Sequence, residues 1–274
     1  RRYADKQGQE ATDGHREGAK TTEQLLEWCD DLGIEEVTLY TFSTENFSRP
    51  EAEREELFDL IAGKLREFAD ADRVHESEVR IRAIGHADRL PERVRDAIAY
   101  AEDRTAGYDN LHLNIALAYG GRAELLDAAR QVARRVDEGD LDPDAVDSGA
   151  IDEALYEGPT QDVDLIVRTG GDERTSNFLP WQANGNEAAV YFCAPYWPEF
   201  RKIDFLRSIR TYENREESWR QTRARRALAV VRALGPSQAP EASRILDRFR
   251  DALPSREREA LEPVDDGEMD PSAD

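Results

Sequence analysis

The feature that most constrains this chain is a regular alternation of strand-like and helix-like segments along its first 235 residues. Residues 15–32 carry Ala19, Leu25, Leu26, Cys29 and Leu32 at helical spacing and close on Gly33, a good helix stop. Val37-Thr38-Leu39-Tyr40-Thr41-Phe42 reads as a buried strand. Residues 51–70 read as a helix with Leu57, Leu60, Ile61, Leu65 and Phe68 as its apolar stripe, and Val79–Ile84 as a strand exposed on one face. Pro91 opens a helix at its first turn, with Val94, Ala97, Ile98 and Ala101 facing inward. Leu111–Leu117 is a further strand, followed by Gly120-Gly121 and a helix to about Val136. An acidic, loop-like stretch over 137–161 leads to strands at Val163–Val167 and Ala188–Cys193. A long arginine-rich helix over 203–233 ends at Gly235-Pro236. Strands joined by helical crossovers predict an α/β fold: a single domain with a mostly parallel central β-sheet flanked by helices. Ligands of such sheets sit beyond the carboxyl ends of the strands. The domain is expected over 1–235, with 236–274 an acidic extension: a short amphipathic helix at 240–252, then disorder over 254–274.

Charge narrows the partners. A net charge of −22 and a pI near 4.6 argue against a general nucleic-acid binder and against a polybasic membrane surface. Only four of the 37 basic residues are lysines (Lys6, Lys20, Lys64 and Lys202), and with so many carboxylates this points to a salt-rich cytoplasm. At ~1 M salt the Debye length is only about 3 Å, so crowded carboxylates cease to repel one another. An ordinary acidic protein with an acidic tail is the alternative. Cys29 and Cys193 lie in separate apolar segments and read as buried thiols in a reducing compartment. The histidines lack metal-ligand spacing, and neither a long apolar run nor a secretory signal occurs. Cytoplasmic residence follows, with any membrane contact peripheral at the inner face. The absence of an initiating Met marks a processed or incomplete product.

Three strand ends carry the chemistry. Phe42-Ser43-Thr44-Glu45-Asn46-Phe47-Ser48-Arg49-Pro50 gathers polar groups that would be costly in a core and should face a cleft. Asn46 and Arg49 could hold an anion there; a helix N-cap by Ser48 with a solvated Arg49 is the competing reading. In Arg168-Thr169-Gly170-Gly171-Asp172-Glu173-Arg174-Thr175-Ser176-Asn177, two arginines and a serine flank glycines whose backbone N–H groups can approach an anion, and guanidinium forks match phosphate oxygens. Tyr119-Gly120-Gly121-Arg122 by itself is a turn. His15, near the amino end, is either a surface or capping group or a phosphate ligand and proton shuttle. No Ser/His/Asp or Cys/His arrangement, Walker loop or G-x-G-x-x-G turn is present, which disfavours acyl transfer and nucleotide or redox α/β domains.

In this order the blocks resemble the cis-prenyltransferase family, whose best-known members are undecaprenyl diphosphate synthases. Tyr40 to Pro50 is similar to one family block, and Leu113-Asn114-Ile115-Ala116 leading to Tyr119-Gly120-Gly121-Arg122 to a second. Asp164 to Phe178 resembles a third, and Tyr196-Trp197-Pro198-Glu199-Phe200 the closing one; coverage runs from residue 1 to about 219. The resemblance implies Mg²⁺-assisted condensation of isopentenyl diphosphate onto an allylic prenyl diphosphate, farnesyl or geranylgeranyl, giving a polyprenyl diphosphate carrier of sugars. It implies isopentenyl diphosphate binding by Arg168, Arg174 and Ser176, allylic diphosphate binding by Arg2, and substrate binding by Tyr3 and Thr175. It ties His15, Ser43, Asn46 and Arg49 to diphosphate binding, with Asn46, His15 and Ser43 catalytic, and adds Thr44, Glu45 and Phe47 as substrate-binding residues. A homodimer and a setting like that of archaeal members are implied as well. Leu39, Leu57, Phe58, Ile61 and Leu65 either line a channel for the growing chain or pack a plain core.

The chain departs from the family pattern in several places. The family's Asp-Gly-Asn, whose aspartate coordinates the metal, precedes residue 1, so the displayed chain is expected to be weakly active and to gain turnover when the upstream residues are restored. Ala11 stands where many members place an arginine, and Ala118 where asparagine is usual. Ala189 stands where a metal-linked glutamate is common, and Glu187 is the candidate metal ligand in its place, through a bulge or a two-residue insertion. A non-catalytic partner subunit of a cis-prenyltransferase complex is the second hypothesis; such subunits lose arginines that this chain keeps.

Overall fold

The computed structural model describes Tyr3 and residues 11–155, 162–183 and 188–233. The chain divides into two compact units, Arg1–Ser208 and Ile209–Asp274. The first holds α1 (Ala11–Asp31), β1 (Glu36–Ser43), α2 (Glu51–Asp70), α3 (Asp72–Glu76), β2 (Val79–Ile84), α4 (Glu92–Thr105), β3 (Leu111–Tyr119), α5 (Gly121–Asp137), α6 (Ser148–Leu155), β4 (Leu165–Arg168) and β5 (Ala189–Phe192). A final helix, α7 (Lys202–Ala233), begins in the first unit, and its remainder is the described part of the second. The expected helix at 240–252 and the tail at 254–274 lie outside the described residues.

Every strand pair among the described residues is parallel, as helical crossovers require. Among the described residues the strands form two sheets, ordered β1-β3-β2 and β4-β5. Aromatic rings bring the two together: Tyr40 of β1 stacks on Phe178 at 4.6 Å and meets Tyr119 of β3 edge-on at 5.8 Å. The three-stranded sheet buries Val79, Ile81, Leu111, Leu113 and Leu117, while α2 buries Leu57, Phe58, Ile61, Leu65 and Phe68 and α4 buries Val94, Ala97, Ile98 and Ala101. β2 is an edge strand, and α4 satisfies its outward backbone: Ile81 N–H donates to Thr105 Oγ1 at 3.0 Å and Ala83 N–H to Glu102 Oε1 at 2.8 Å.

Two expectations need correcting. Pro91 is the N-cap of α4, not its first helical residue, so its fixed φ sets the entry of the chain while Glu92 starts the helix. The stretch after α5 is not all loop: Pro143–Ala145 makes a 3₁₀ turn and Ser148–Leu155 is helical. Its apolar residues are too few and too interrupted by acids to give a clear helical period, yet Ala150 is buried and α6 packs on α5.

β1 and β3 slip in register between Tyr40 and Ser43, where Ala118 takes the left-handed conformation (φ 49°). Irregularities of this kind re-aim side chains at the ends of strands. Here the slip ends at Ser43, which lines a cavity that also holds four arginines.

Candidate active site

The carboxyl ends of β1, β3 and β4 open onto one cavity of about 900 Å³, lined by Tyr40, Ser43, Glu45, Asn46, Arg49, Arg122, Arg168, Asp172, Arg174, Ser176 and Asn177. Four guanidinium groups therefore face two carboxylates in a chain whose net charge is −22. The cavity is locally basic on a strongly acidic protein, and such a concavity focuses anionic ligands.

The first wall follows β1. A 3₁₀ turn over Thr44–Ser48 places Asn46 at its third residue, and the Ser43 backbone N–H donates to Asn46 Oδ1 at 2.9 Å. The carbonyl of that amide is thereby committed to the backbone. Its NH₂ group has no partner among the described residues, which leaves two donors at the cavity wall. Ser48 does not cap α2: its hydroxyl donates to Glu45 O at 2.7 Å and tightens the 3₁₀ turn, while Pro50 occupies the N-cap. Arg49 is half-buried and pairs with Glu53 Oε1 at 2.7 Å. Arg54 Nη1 ties the turn down from behind, donating to Phe47 O at 3.0 Å and to Arg49 O at 3.1 Å. Burial, reinforced by the nearby Glu45 charge, pushes the Tyr40 hydroxyl up to about 12, so it remains a proton donor; it points to Tyr119 O at 3.3 Å.

The second wall follows β4. Arg168 Nη1 donates to Ser176 Oγ at 2.5 Å, and its Nη2 lies 3.3 Å from Asp172 Oδ2. Arg174 Nη2 reaches the same carboxylate oxygen at 3.5 Å. Arg168 Nε is buried with no hydrogen-bond partner among the described residues. The expected role of the glycine backbone is not what this wall shows. Gly170 N–H donates to Pro195 O at 2.7 Å and Gly171 N–H to Cys193 O at 2.9 Å. These two amides knit the turn to the segment after β5, so they are not available as anion donors. Both glycines have positive φ (87° and 73°), which is why the turn uses them.

Tyr119-Gly120-Gly121-Arg122 is more than a turn. A Cβ on Gly120 would meet Thr44 Oγ1 at 2.6 Å, and one on Gly121 would meet Pro180 Cδ at 2.1 Å. Arg122 N–H donates to Asn177 Oδ1 at 2.9 Å. The glycine pair is thus the point where the other two blocks close on β3, and Arg122 joins the cavity from the first turn of α5. Sequence reasoning missed Arg122, Tyr40, Asp172 and Asn177 as wall residues. The signal available for Arg122 was a basic residue directly after a strand–glycine–helix junction.

Of the residues singled out from sequence, the cavity brings together Ser43, Glu45, Asn46, Arg49, Arg168, Arg174 and Ser176. Thr44, Phe47 and Thr175 stand outside its wall: Thr44 packs on Gly120, and Phe47 packs edge-on to Phe42 at 5.1 Å beneath the Arg89 guanidinium at 4.4 Å. Thr175 is exposed on the turn, where its carbonyl accepts from Phe178 N–H. Tyr3 is half-buried, and His15 belongs to α1, whose Gly18 carbonyl accepts from Trp197 Nε1 at 2.8 Å. Arg2 and Glu187 lie outside the described residues, as does the His15 side chain. Leu57, Phe58, Ile61 and Leu65 are buried, and Leu39 is half-buried.

The ordered strand ends meet a family pattern over most of the chain. The family model described as "Putative undecaprenyl diphosphate synthase" matches residues 1–220. The chain belongs to this family. It is a cis-prenyltransferase. A "Tritrans,polycis-undecaprenyl-diphosphate synthase (geranylgeranyl-diphosphate specific)" of Haloarcula marismortui is 71% identical over 262 residues, covering 96% of this chain and 86% of the relative. The protein of the same name from Archaeoglobus fulgidus is 48% identical over 217 residues, covering 79% and 86%. Among solved structures, lavandulyl diphosphate synthase from Lavandula x intermedia, in complex with dimethylallyl diphosphate, superposes with a TM-score of 0.71 at 30% identity, covering 77% of this chain and 89% of that one. The parallel sheet flanked by helices is thus the cis-prenyltransferase fold. No helix among the described residues is long and apolar enough to cross a membrane.

Proposed function

We propose that this prenyltransferase adds isopentenyl diphosphate units, with cis geometry, to geranylgeranyl diphosphate, making a long polyprenyl diphosphate that serves as precursor of a glycosyl carrier. One observation carries the reading: Arg49, Arg122, Arg168 and Arg174 converge on a single cavity of an otherwise acidic molecule. Geranylgeranyl diphosphate is favoured over farnesyl diphosphate because the 71% identical relative is named as specific for it. In each cycle the isopentenyl double bond attacks C1 of the allylic substrate, the C1–O bond breaks with its electron pair leaving on pyrophosphate, and a proton then departs from the incoming unit. The barrier lies in the charge that develops on the departing diphosphate, which fixed guanidinium and amide donors stabilise without reorganising.

The roles follow the two walls. Arg168, Arg174 and Ser176 hold isopentenyl diphosphate, with Arg122 reaching the same cavity. Asn46, Arg49 and Ser43 hold the allylic diphosphate and its leaving group, and His15 and Arg2 are assigned there from the family pattern. Magnesium keeps several waters and takes one or two carboxylates plus substrate phosphates, so it needs no cage of protein ligands. Among the described residues no cluster of three ligating side chains occurs, while Glu45 puts a carboxylate on the wall. That donor set fits an ion held mainly by the substrates, with Glu187 a further candidate. When bound, the ion neutralises diphosphate charge and helps it leave. A homodimer in a salt-rich cytoplasm, touching the membrane's inner face only to release product, completes the proposal. The catalytic domain is assigned to 1–235 and the acidic extension to 236–274.

A radiolabelled condensation assay with purified protein, Mg²⁺ and either primer tests this. Polyprenyl product without any partner chain, formed faster from the geranylgeranyl primer, is expected. Substrate binding with no product from either primer, even when the residues upstream of residue 1 are restored, would instead identify a partner subunit.

A further inference from the structure

We propose that Asp172 is a tethered anion that occupies the Arg168/Arg174 site between turnovers and screens it against small anions, so that a diphosphate enters and chloride or a single phosphate does not. The inference rests on the diphosphate reading of this cavity and concerns a residue that reading does not need. Asp172 Oδ2 lies between two guanidinium groups, 3.3 Å from Arg168 Nη2 and 3.5 Å from Arg174 Nη2. Strong charge-assisted pairs close to about 2.7–2.9 Å, so these contacts are loose. The carboxylate is one-third exposed on a side chain whose own torsions let it leave the guanidinium groups, while the preceding glycine turn stays tied to Pro195 and Cys193. Arg49 offers the contrast: its partner Glu53 sits at 2.7 Å with only 16% exposure, a fixed pair.

The consequences are electrostatic. Two neighbouring guanidinium groups without a counter-ion would attract any small anion present. A carboxylate on a short tether competes at an effective concentration on the order of millimolar or above, whatever the solution holds. A singly charged or compact anion replaces it with little gain. A diphosphate carries more charge and two phosphoryl groups, enough to engage both arginine forks at once and expel the carboxylate. Arg168 keeps its orientation during the exchange, because Ser176 Oγ holds its other terminal nitrogen at 2.5 Å.

The test uses the full chain, Asp172→Asn and Asp172→Glu, with inorganic pyrophosphate as the probe in calorimetric titrations at constant ionic strength. Without divalent metal and at low chloride, Asp172→Asn should bind pyrophosphate about fivefold tighter, the order expected when two partly exposed ion pairs are lost. Its affinity should then fall steeply as chloride or inorganic phosphate is added, while the parent and Asp172→Glu change little. Unchanged or weaker binding by Asp172→Asn would overturn the proposal, as would a chloride response equal to the parent's. Weakening seen only with Mg²⁺ would also overturn it, making Asp172 a metal ligand. Arg174→Gln separates the two readings: if it leaves pyrophosphate binding intact, the diphosphate assignment of the cavity itself fails, whatever Asp172 does.

Discussion

Gly121 donates its backbone N–H to the carbonyl oxygen of Asn177 over 3.0 Å, at a point where a Cβ on Gly121 would lie 2.1 Å from the Pro180 ring. This contact joins the amino end of α5 to the turn that carries Arg174 and Ser176. The missing methyl group lets the arginine turn seat against β3, which places the second wall of the cavity opposite the first.

Gly121→Ala should therefore cost stability even though alanine is the better helix former. The added carbon meets a rigid proline ring, and overpacking of this kind costs about 1–3 kcal/mol. Chemical denaturation should show the loss, and pyrophosphate affinity should fall with it because the arginine turn is displaced. A variant as stable as the parent would show that the turn can shift freely.

Asn46 separates structure from chemistry. Asn46→Asp retains an oxygen acceptor for the Ser43 N–H, so the melting temperature should hold within about 2 °C. It removes both amide donors and adds negative charge beside a diphosphate, so kcat should drop on the order of 100-fold. Asn46→Ala loses the turn's bond as well and should unfold more easily by about 1 kcal/mol. Near-normal turnover by Asn46→Asp would remove Asn46 from the chemistry.

Arg168 is fixed by Ser176, and its Nε is buried without a partner among the described residues. Arg168→Gln should raise KM for isopentenyl diphosphate, with kcat/KM falling about 10- to 100-fold, the range for losing charged hydrogen bonds to an anion. Steady-state kinetics with the allylic primer saturating reads this directly. A larger effect on the KM of the primer would reverse the assignment of the two walls.

Ala118 sits fully buried at φ 49°, a conformation that side-chain-bearing residues adopt at a cost of about 1 kcal/mol or more. Relief in Ala118→Gly, offset in part by glycine's freedom in the unfolded chain, should leave a net gain of about 0.5 kcal/mol. Denaturant midpoints at constant m check it. The asparagine usual in the family at this position tolerates the left-handed region better than alanine does, and nothing in the structure explains the alanine here.

Burial pushes the Cys29 thiol up to about 12, and burial with a contribution from Asp204 pushes Cys193 up to about 11. Both should resist thiol reagents at pH 8 in the native state and react promptly in denaturant. Their folded pKa values exceed the usual thiol value of 9.0, so their contribution to stability is complete below about pH 9 and is lost as pH rises towards 11–12. Thermal melts across that alkaline range should show the decline; flat stability from pH 9 to 11 would contradict it.

Helical and β periodicities, with glycine and proline stops, were enough to place α1, β1, α2, β2, α4, β3 and α5, because each carries an apolar face into one core, and the arginine-rich run before Gly235-Pro236 placed α7. α6 escaped notice because its burial comes from docking on α5, not from a pattern of its own. The polar composition of the β1 and β4 ends likewise announced Asn46, Arg49, Arg168, Arg174 and Ser176, since such groups after buried strands need a cleft. What the linear order could not contain was distance. Only the folded chain puts Arg122 in the cavity, ties the Gly170 and Gly171 amides to Pro195 and Cys193, and sets Asp172 between two arginines. Residue type is written locally and fixes which charges and donors are available. Which of them share a cavity depends on contacts between segments far apart in sequence, such as Gly121 with Asn177, and those exist only once the strands have paired and the loops have closed over them.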